Sequence, residues 1–362
     1  MNKIYVVDLE SVPTRYTCQW KEYVPRMLER EAKNKGVDVS VINISGGDQI
    51  IDATPGAFLN FQQTNIYKNT QMNDIANRFT DEIEPGDKFL FTDAWHPGII
   101  QLKYMSELLG IPVEIHSMWH AGSYDPQDFL GRLIKDKRWA NNAEKSFFHA
   151  SDYNWFATKF HVDMFIKNVF GQDLALSLTD REIEDKFCVT GWPMDYMYDE
   201  LKKFRSEAKE DIILFPHRVA PEKQPEIFRD LAKSLPQFKF VICQDKQLSK
   251  DEYHTLLARS KLLFSANLQE TLGISPYEGA MLNVRPYLPN RLSYSEMYPE
   301  DYLYPSEWTE SFDKYLEHKS YIIEDIKRIM MNDRPINTTD LSMQLESKFF
   351  TATNLTNKLL EF

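Results

Sequence analysis

Short apolar runs punctuate the chain and alternate with longer stretches of helical period. Residues 3–8 (KIYVVD) read as a buried parallel strand, because the run is apolar without alternation, and 37–44, 88–92, 112–116 and 153–158 read as further strands. Residues 19–35, 71–83 and 98–109 read as helices, the first bent at Pro25. Residues 45–70 have no clear period and are rich in Gly, Asn, Gln and Thr, which predicts a long loop. Residues 125–170 are mostly helical in pattern and aromatic. Residues 187–193 read as a last strand and crossover, and the charged run 200–210 as a joining helix. A second series follows, with strands at 211–215, 239–243, 261–266 and 285–288 and helices at 224–234, 250–260, 322–331 and 341–360. Strands alternating with helices predict an α/β protein with doubly wound parallel sheets.

The length, 362 residues, suits two such domains. With 43% hydrophobic and 27% charged residues, each half can bury a core. The net charge of −12 argues against broad, non-specific nucleic-acid binding, while leaving room for a local basic groove. Cys18, Cys188 and Cys243 are widely spaced, with neither a metal-ligand pattern nor a paired framework. No apolar run has membrane length and no signal peptide is visible, so a cytoplasmic protein without membrane partners is expected.

The chemistry concentrates in residues 265–304 (SANLQETLGISPYEGAMLNVRPYLPNRLSYSEMYPEDYLY). An apolar strand ends there and turns into a helix that starts near Ser275-Pro276, where a proline costs no hydrogen bond. Backbone N–H groups of Leu272, Gly273 and Ile274 would lie at a helix N-terminus, which attracts a phosphate. Glu278, one turn on, could hold a ribose diol. Ser275-x-x-Glu278 is equally a capping box that needs no ligand. Further strand ends carry polar and aromatic groups: Glu10 and Arg15, then TDAWHP at 92–97 and HSMWHAGS at 116–123. Asp93, His96 and His120 could orient sugar hydroxyls, and Trp95 or Trp119 could stack on a ring. Local ion pairs at Glu10 and Arg15, and histidines that merely cap strand ends, explain the same residues without a ligand.

The two glutamates of ETLGISPYEGAM, Glu270 and Glu278 with seven residues between, resemble the carboxy-terminal signature of retaining family-4 glycosyltransferases of the GT-B fold. The following PNRLSYSEMYPEDYLY resembles the tRNA-queuosine mannosyltransferase branch, and the likeness runs from Asp211 to Tyr304. It implies two Rossmann-like domains facing a central cleft: an acceptor domain at 1–192, a donor domain at 193–340 and a final helix, 341–362, that returns to the first domain. Arg218 and Lys223 match the arginine and lysine that grip the donor diphosphate. Glu270 and Thr271 would contact the donor, with Asn290 and Arg291 nearby. Arg291 either touches the donor or braces Glu296. His120 matches a histidine beside the donor sugar. The chain departs from the family after its first strand, where DLESVPTRY replaces a glycine-rich turn.

The resemblance implies a retaining, metal-independent glycosyltransferase with a nucleoside diphosphate sugar, UDP-linked in many relatives, as co-substrate and no other cofactor. The expected acceptor is a hydroxymethylated pyrimidine such as hydroxymethylcytosine in bacteriophage DNA. Queuosine in tRNA and a cell-surface glycan precursor are the alternatives. Acceptor contacts would come from Glu10, Arg15, Asp93, Trp95, His96 and Trp119. Two rival readings are a glycoside hydrolase using Glu270 and Glu278 as paired acids, and a nucleotide-sugar binding module without turnover.

Overall fold

The computed structural model describes residues 2–10, 16–47, 60–171, 185–246, 248–332 and 335–362. The chain divides into two compact units. The first comprises Met1–Ala157, His161–Pro193 and Ala352–Phe362, and the second Thr158–Phe160 and Met194–Thr351. Helices in chain order are α1 (Tyr16–Lys35), α2 (Phe61–Arg78), α3 (Gly98–Leu109), α4 (Phe129–Leu133), α5 (Lys137–Ala150), α6 (Lys159–Phe165) and α7 (Met197–Leu201). They continue with α8 (Pro225–Ser234), α9 (Lys250–Arg259), α10 (Ile274–Met281), α11 (Tyr294–Met297), α12 (Phe312–Met330), α13 (Thr339–Phe349) and α14 (Thr353–Leu359).

The first unit holds a parallel sheet of β1 (Asn2–Val7), β2 (Val39–Ile44), β3 (Lys88–Phe91), β4 (Glu114–Trp119), β5 (Tyr153–Phe156) and β6 (Phe187–Val189). Their order is β2-β1-β3-β4-β5-β6. The order reverses between β1 and β3, and Val7 lies opposite both Ile44 and Phe91, so three strand ends meet at this switch point. Ile4–Val7 and Phe89–Phe91 are buried on both faces, as the unbroken apolar runs require. The last segment belongs to this unit: Lys88 Nζ donates to the Lys358 carbonyl at 3.1 Å, and Asn354 Nδ2 to Val189 O at 3.3 Å.

The second unit holds β7 (Ile212–Phe215), β8 (Lys239–Ile242), β9 (Leu262–Phe264), β10 (Arg285–Pro289) and β11 (Leu303–Tyr304), in the order β11-β10-β9-β7-β8. All pairs are parallel and the switch point lies between β7 and β9. Proline starts α8, whose Ile227, Phe228 and Leu231 enter the core. Ser249 and Glu252 close a reciprocal capping box on α9. Among the described residues no helix is long and apolar enough to cross a membrane.

The structure corrects several expectations. The loop expected over 45–70 contains the first part of α2, capped by Asn60. Its period was hidden because the buried face mixes Tyr67, Met72 and Ile75 with Thr64, Lys68 and Gln71. The helix expected at 341–360 is two helices, broken at Phe350–Ala352, and the joining helix expected at 200–210 is only α7 plus a 3-10 turn at Lys202–Phe204. Strand β4 runs on to Trp119, so residues 117–119 are strand and not loop.

Gln71 is the keystone of the first switch point. Its Nε2 lies 2.9 Å from the Asp8 carbonyl, 2.9 Å from Asp8 Oδ1 and 2.8 Å from Ile44 O. Its Oε1 accepts from His96 Nε2 at 3.1 Å. Gln71→Leu keeps the bulk but strands these groups in a dry interior, each at about 1–3 kcal/mol. Denaturant unfolding should therefore show a loss of about 3 kcal/mol or more with an unchanged m-value; a loss below about 1 kcal/mol would contradict this role.

Burial holds His96 and His161 down to about 3, and lowers His116, His120 and His217. An unfolded histidine titrates near ~6.5, so below that pH the unfolded chain takes up protons that the folded chain refuses. The stability due to these five groups is whole above about pH 6.5 and drains away as pH falls. Burial raises Asp8 to about 6 and Glu144 to about 7, which acts oppositely, favouring the fold as pH falls. Histidines outnumber these carboxyls, so melting temperature should drop from pH 6 to pH 4, with net proton uptake on unfolding measured by calorimetry in buffers of different ionisation heat.

Candidate functional site

Two polar constellations lie at the two switch points. In the second unit, the chain leaves β9 through Ser265–Gly273 and enters α10. Gly273 sits at the N-cap with φ 82°, and a Cβ there would meet Tyr294 at 2.9 Å, so the turn requires glycine. No side chain caps this helix. The N–H groups of Leu272, Gly273 and Ile274 find no backbone acceptor among the described residues. The arrangement leaves an N-terminus of the kind that binds anions.

Lys223 is buried and reaches this loop from the segment after β7. Its Nζ donates to the Gln269 carbonyl and lies 3.5 Å from Glu270 Oε2. Glu270 in turn accepts from Thr271 N at 3.2 Å and Asn267 Nδ2 at 3.4 Å. Arg218 pairs with the buried Glu222 at 2.7 Å and keeps about a third of its side chain exposed. Lys223, Glu270 and Thr271 are thus drawn together by the fold.

Glu278 does not act as a capping-box partner. Its carboxylate accepts from Tyr253 Oη at 2.8 Å and lies 3.3 Å from His254 Nε2, both on α9. Those two residues fix the orientation of the acid, and sequence reasoning missed them. Their helical spacing around the α9 capping box offered no sign of a contact with a residue 25 positions away.

Asn290 and Arg291 have other placements. The Asn290 side chain is exposed, while its N–H closes on Tyr304 O at 2.7 Å. Arg291 donates to the carbonyls of Asn267 at 2.7 Å, Ser306 at 2.8 Å, Ala266 at 2.8 Å and Thr309 at 3.1 Å. It braces the loop backbone and not Glu296, which accepts from Lys159 N and Phe160 N at 3.0 and 2.9 Å.

In the first unit, a cavity of about 520 Å³ opens at the carboxyl ends of β1, β3 and β4. Glu10, Asp93, Trp95 and His120 line it, together with Lys68. Glu10 accepts from Thr64 Oγ1 at 2.6 Å. Asp93 pairs with Lys68 at 3.1 Å. Burial favours its neutral form, but the Lys68 ammonium outweighs this by charge and hydrogen bond and holds Asp93 below the usual carboxylate range. The Trp95 indole donates to Glu144 Oε1 at 3.0 Å. His120 Nε2 lies 2.6 Å from the Thr92 carbonyl and so carries the proton; Nδ1 accepts from Tyr16 Oη at 2.9 Å. Burial lowers its pKa, so it is neutral at pH 7.

Two residues expected to touch an acceptor are core residues. His96 is buried, with Nε2 on Gln71 and Nδ1 accepting from Gly98 N at 3.0 Å. Trp119 is fully buried; it stacks on Phe156 and donates to Asn154 Oδ1 at 2.9 Å. Strand β4 carries three residues further than the pattern predicted, which places this indole on the sheet and in the core. Arg15 lies outside the described residues. The cavity's outer wall, α4 and the start of α5, was not singled out in the sequence. Gly131 allows its tight approach, since a Cβ would fall 1.8 Å from the Asp125 carbonyl.

No protein-family profile matches the chain. It is similar to the tRNA-queuosine alpha-mannosyltransferase of Drosophila melanogaster, at 25% identity over 195 residues. That alignment spans 43% of this chain and 52% of the relative, so the chain matches about half of that protein's length. Among solved structures it is similar to the sucrose-phosphate synthase of Thermosynechococcus elongatus, with a TM-score of 0.59 at 9% identity over 99% of this chain and 97% of that one. The catalytic domain of Arabidopsis thaliana starch synthase IV, bound to ADP and acarbose, gives 0.57 at 10% identity, over 99% and 98%. Anabaena HepE in complex with UDP gives 0.52 at 11% identity, over 99% and 98%. At such identities the likeness is one of fold, and the chain has the GT-B fold of glycosyltransferases such as these synthases.

Proposed function

We propose that this protein is a retaining, metal-independent glycosyltransferase that moves a sugar from a nucleoside diphosphate to a hydroxyl on a modified nucleobase. The observation that carries the proposal is the meeting of Lys223, Glu270 and the uncapped start of α10 at the β7/β9 switch point, with Glu278 fixed one turn beyond. The α10 amides, Lys223 and Arg218 would hold the diphosphate. Glu278 would take the ribose hydroxyls, and Glu270 those of the sugar.

In the reaction, the bond between the anomeric carbon and the diphosphate oxygen breaks, and the diphosphate leaves with the electron pair. The acceptor oxygen bonds to the same face of that carbon. Its proton passes to an oxygen of the departing diphosphate. Cations and oriented N–H groups stabilise the charge that builds there. Structural neighbours solved with ADP or UDP bound support a donor of this class.

The acceptor expected from the sequence is a hydroxymethylated pyrimidine in phage DNA, modified in the host cytoplasm. A second acceptor, queuosine in tRNA, is favoured by the similarity to the Drosophila enzyme. Both are modified bases bearing hydroxyls, and both lie within the proposal.

Thermal-shift titration with UDP, GDP and ADP should raise the melting temperature with at least one of them. Glu278→Ala should raise donor KM about tenfold, with a smaller effect on kcat. Lys223→Ala should lower kcat about 100-fold, in the range for loss of one charge-stabilising donor. Unchanged turnover in Lys223→Ala would defeat the diphosphate assignment. With the best donor, transfer to hydroxymethylcytosine DNA or to queuosine tRNA should survive chelation by EDTA and give a product of retained anomeric configuration.

A further inference from the structure

We propose that the cavity of the first unit is a slot for a planar heterocycle rich in hydrogen-bond donors, uncharged or cationic, of the size of one nucleoside. Its role as an acceptor subsite rests on the glycosyltransferase reading, whereas the ligand chemistry rests on the cavity.

The volume, about 520 Å³, lies within the range of small-molecule sites. The wall is made by Phe61, Trp95, Leu130, Leu133, Ile134 and Trp139. Trp95 and Trp139 stand perpendicular, with ring centroids 6.4 Å apart. Trp95 is held by Glu144 and packs edge-on against Phe147. Trp139 and Leu133 are about half exposed, at 53% and 54%. A rigid indole beside a solvated one leaves a flat apolar surface that a ring can cover from the mouth.

The polar groups decide what kind of ring fits. Lys68 gives protons to Asp93 and to the Trp95 carbonyl. His120 gives its proton to the Thr92 carbonyl. Glu10 brings a carboxylate whose Oε2 is engaged by no described residue, Asp93 adds a second acid, and Asp128 at the lining is taken up in capping α4 through Leu130 N. The remaining capacity among the charged lining groups is therefore mainly acceptor capacity, centred on Glu10, with the one lysine already paired to Asp93. A ligand must bring N–H or O–H donors, and an anionic ligand such as a sugar phosphate is repelled. A nucleobase turned out of its stack meets both conditions.

The test uses quenching of tryptophan fluorescence by 5-hydroxymethyl-2′-deoxycytidine, guanosine, methyl α-glucoside and glucose 6-phosphate. The nucleosides should quench saturably and the sugar phosphate should not. Trp139→Ala, at an exposed position that folding does not need, should weaken nucleoside binding at least tenfold, read by saturation-transfer NMR. Trp139→Phe should recover most of it, and Glu10→Gln should weaken donor-rich nucleosides most. A single-stranded oligonucleotide bearing hydroxymethylcytosine binding tighter than the free nucleoside assigns the ring to nucleic acid; equal binding assigns it to the free nucleoside. Unchanged affinity in Trp139→Ala overturns the proposal, as does binding of methyl α-glucoside or glucose 6-phosphate as tight as that of the nucleosides. Nucleoside binding without any nucleoside diphosphate stabilisation would defeat the glycosyltransferase reading and leave the slot standing.

Discussion

Carbonyl groups at the carboxyl ends of parallel strands must find donors where water is largely excluded, and this need organises both units. Buried side chains with several N–H groups gather them. Gln71 joins the ends of β1 and β2. Gln224 takes the carbonyls of Ala266 and Thr309 at 2.6 and 2.7 Å, and Arg291 takes the same two together with those of Asn267 and Ser306. At the opposite end of the sheet, Lys209 satisfies the carbonyls of Ala258, Ser260 and Leu282 where α9 and α10 end, and burial pushes its pKa down to about 8. The brackets at Gln71, Gln224 and Arg291 make their loops rigid at the switch points, which is where a ligand of an open α/β sheet binds.

The brackets also determine which polar groups remain for chemistry. In the second unit, Arg291 and Gln224 hold the backbone before and beside Glu270, so Lys223 and Glu270 face each other from fixed supports. Tyr253 and His254 do the same for Glu278 from a different helix. In the first unit, the polar side of α2 supplies Thr64 to Glu10, Lys68 to Asp93 and Gln71 to the strand ends. One helix face thereby closes the sheet and forms part of the cavity lining.

Neutral histidine is the recurrent means of bonding without burying charge. His96 and His120 each give one proton and accept another within the fold. Ionising either would place a second donor where a donor already points, in addition to the cost of desolvation.

Much of the fold was legible along the chain. Apolar runs longer than an alternating strand permits mark the buried parallel strands, and helix α3 and the capping box at Ser249 stand at the predicted positions. Residues 265–304 also showed a turn into a helix start and two acids in reach of it. Helix α2 was not legible as far as it extends, since a polar inner face destroys the apolar period. Nor could the sequence distinguish Trp95, at the cavity, from Trp119, in the core, because pairing with β5 extends β4 three residues past the predicted end and takes Trp119 into the sheet, while Trp95 lies beyond the end of β3. Local pattern determined which residues form strands and where helices begin. Only tertiary contact decided that Arg291 braces carbonyls, that Glu278 is held by Tyr253 and His254, and that Trp139 joins a cavity, because hydrogen-bond partners distant in sequence leave no periodic trace in it.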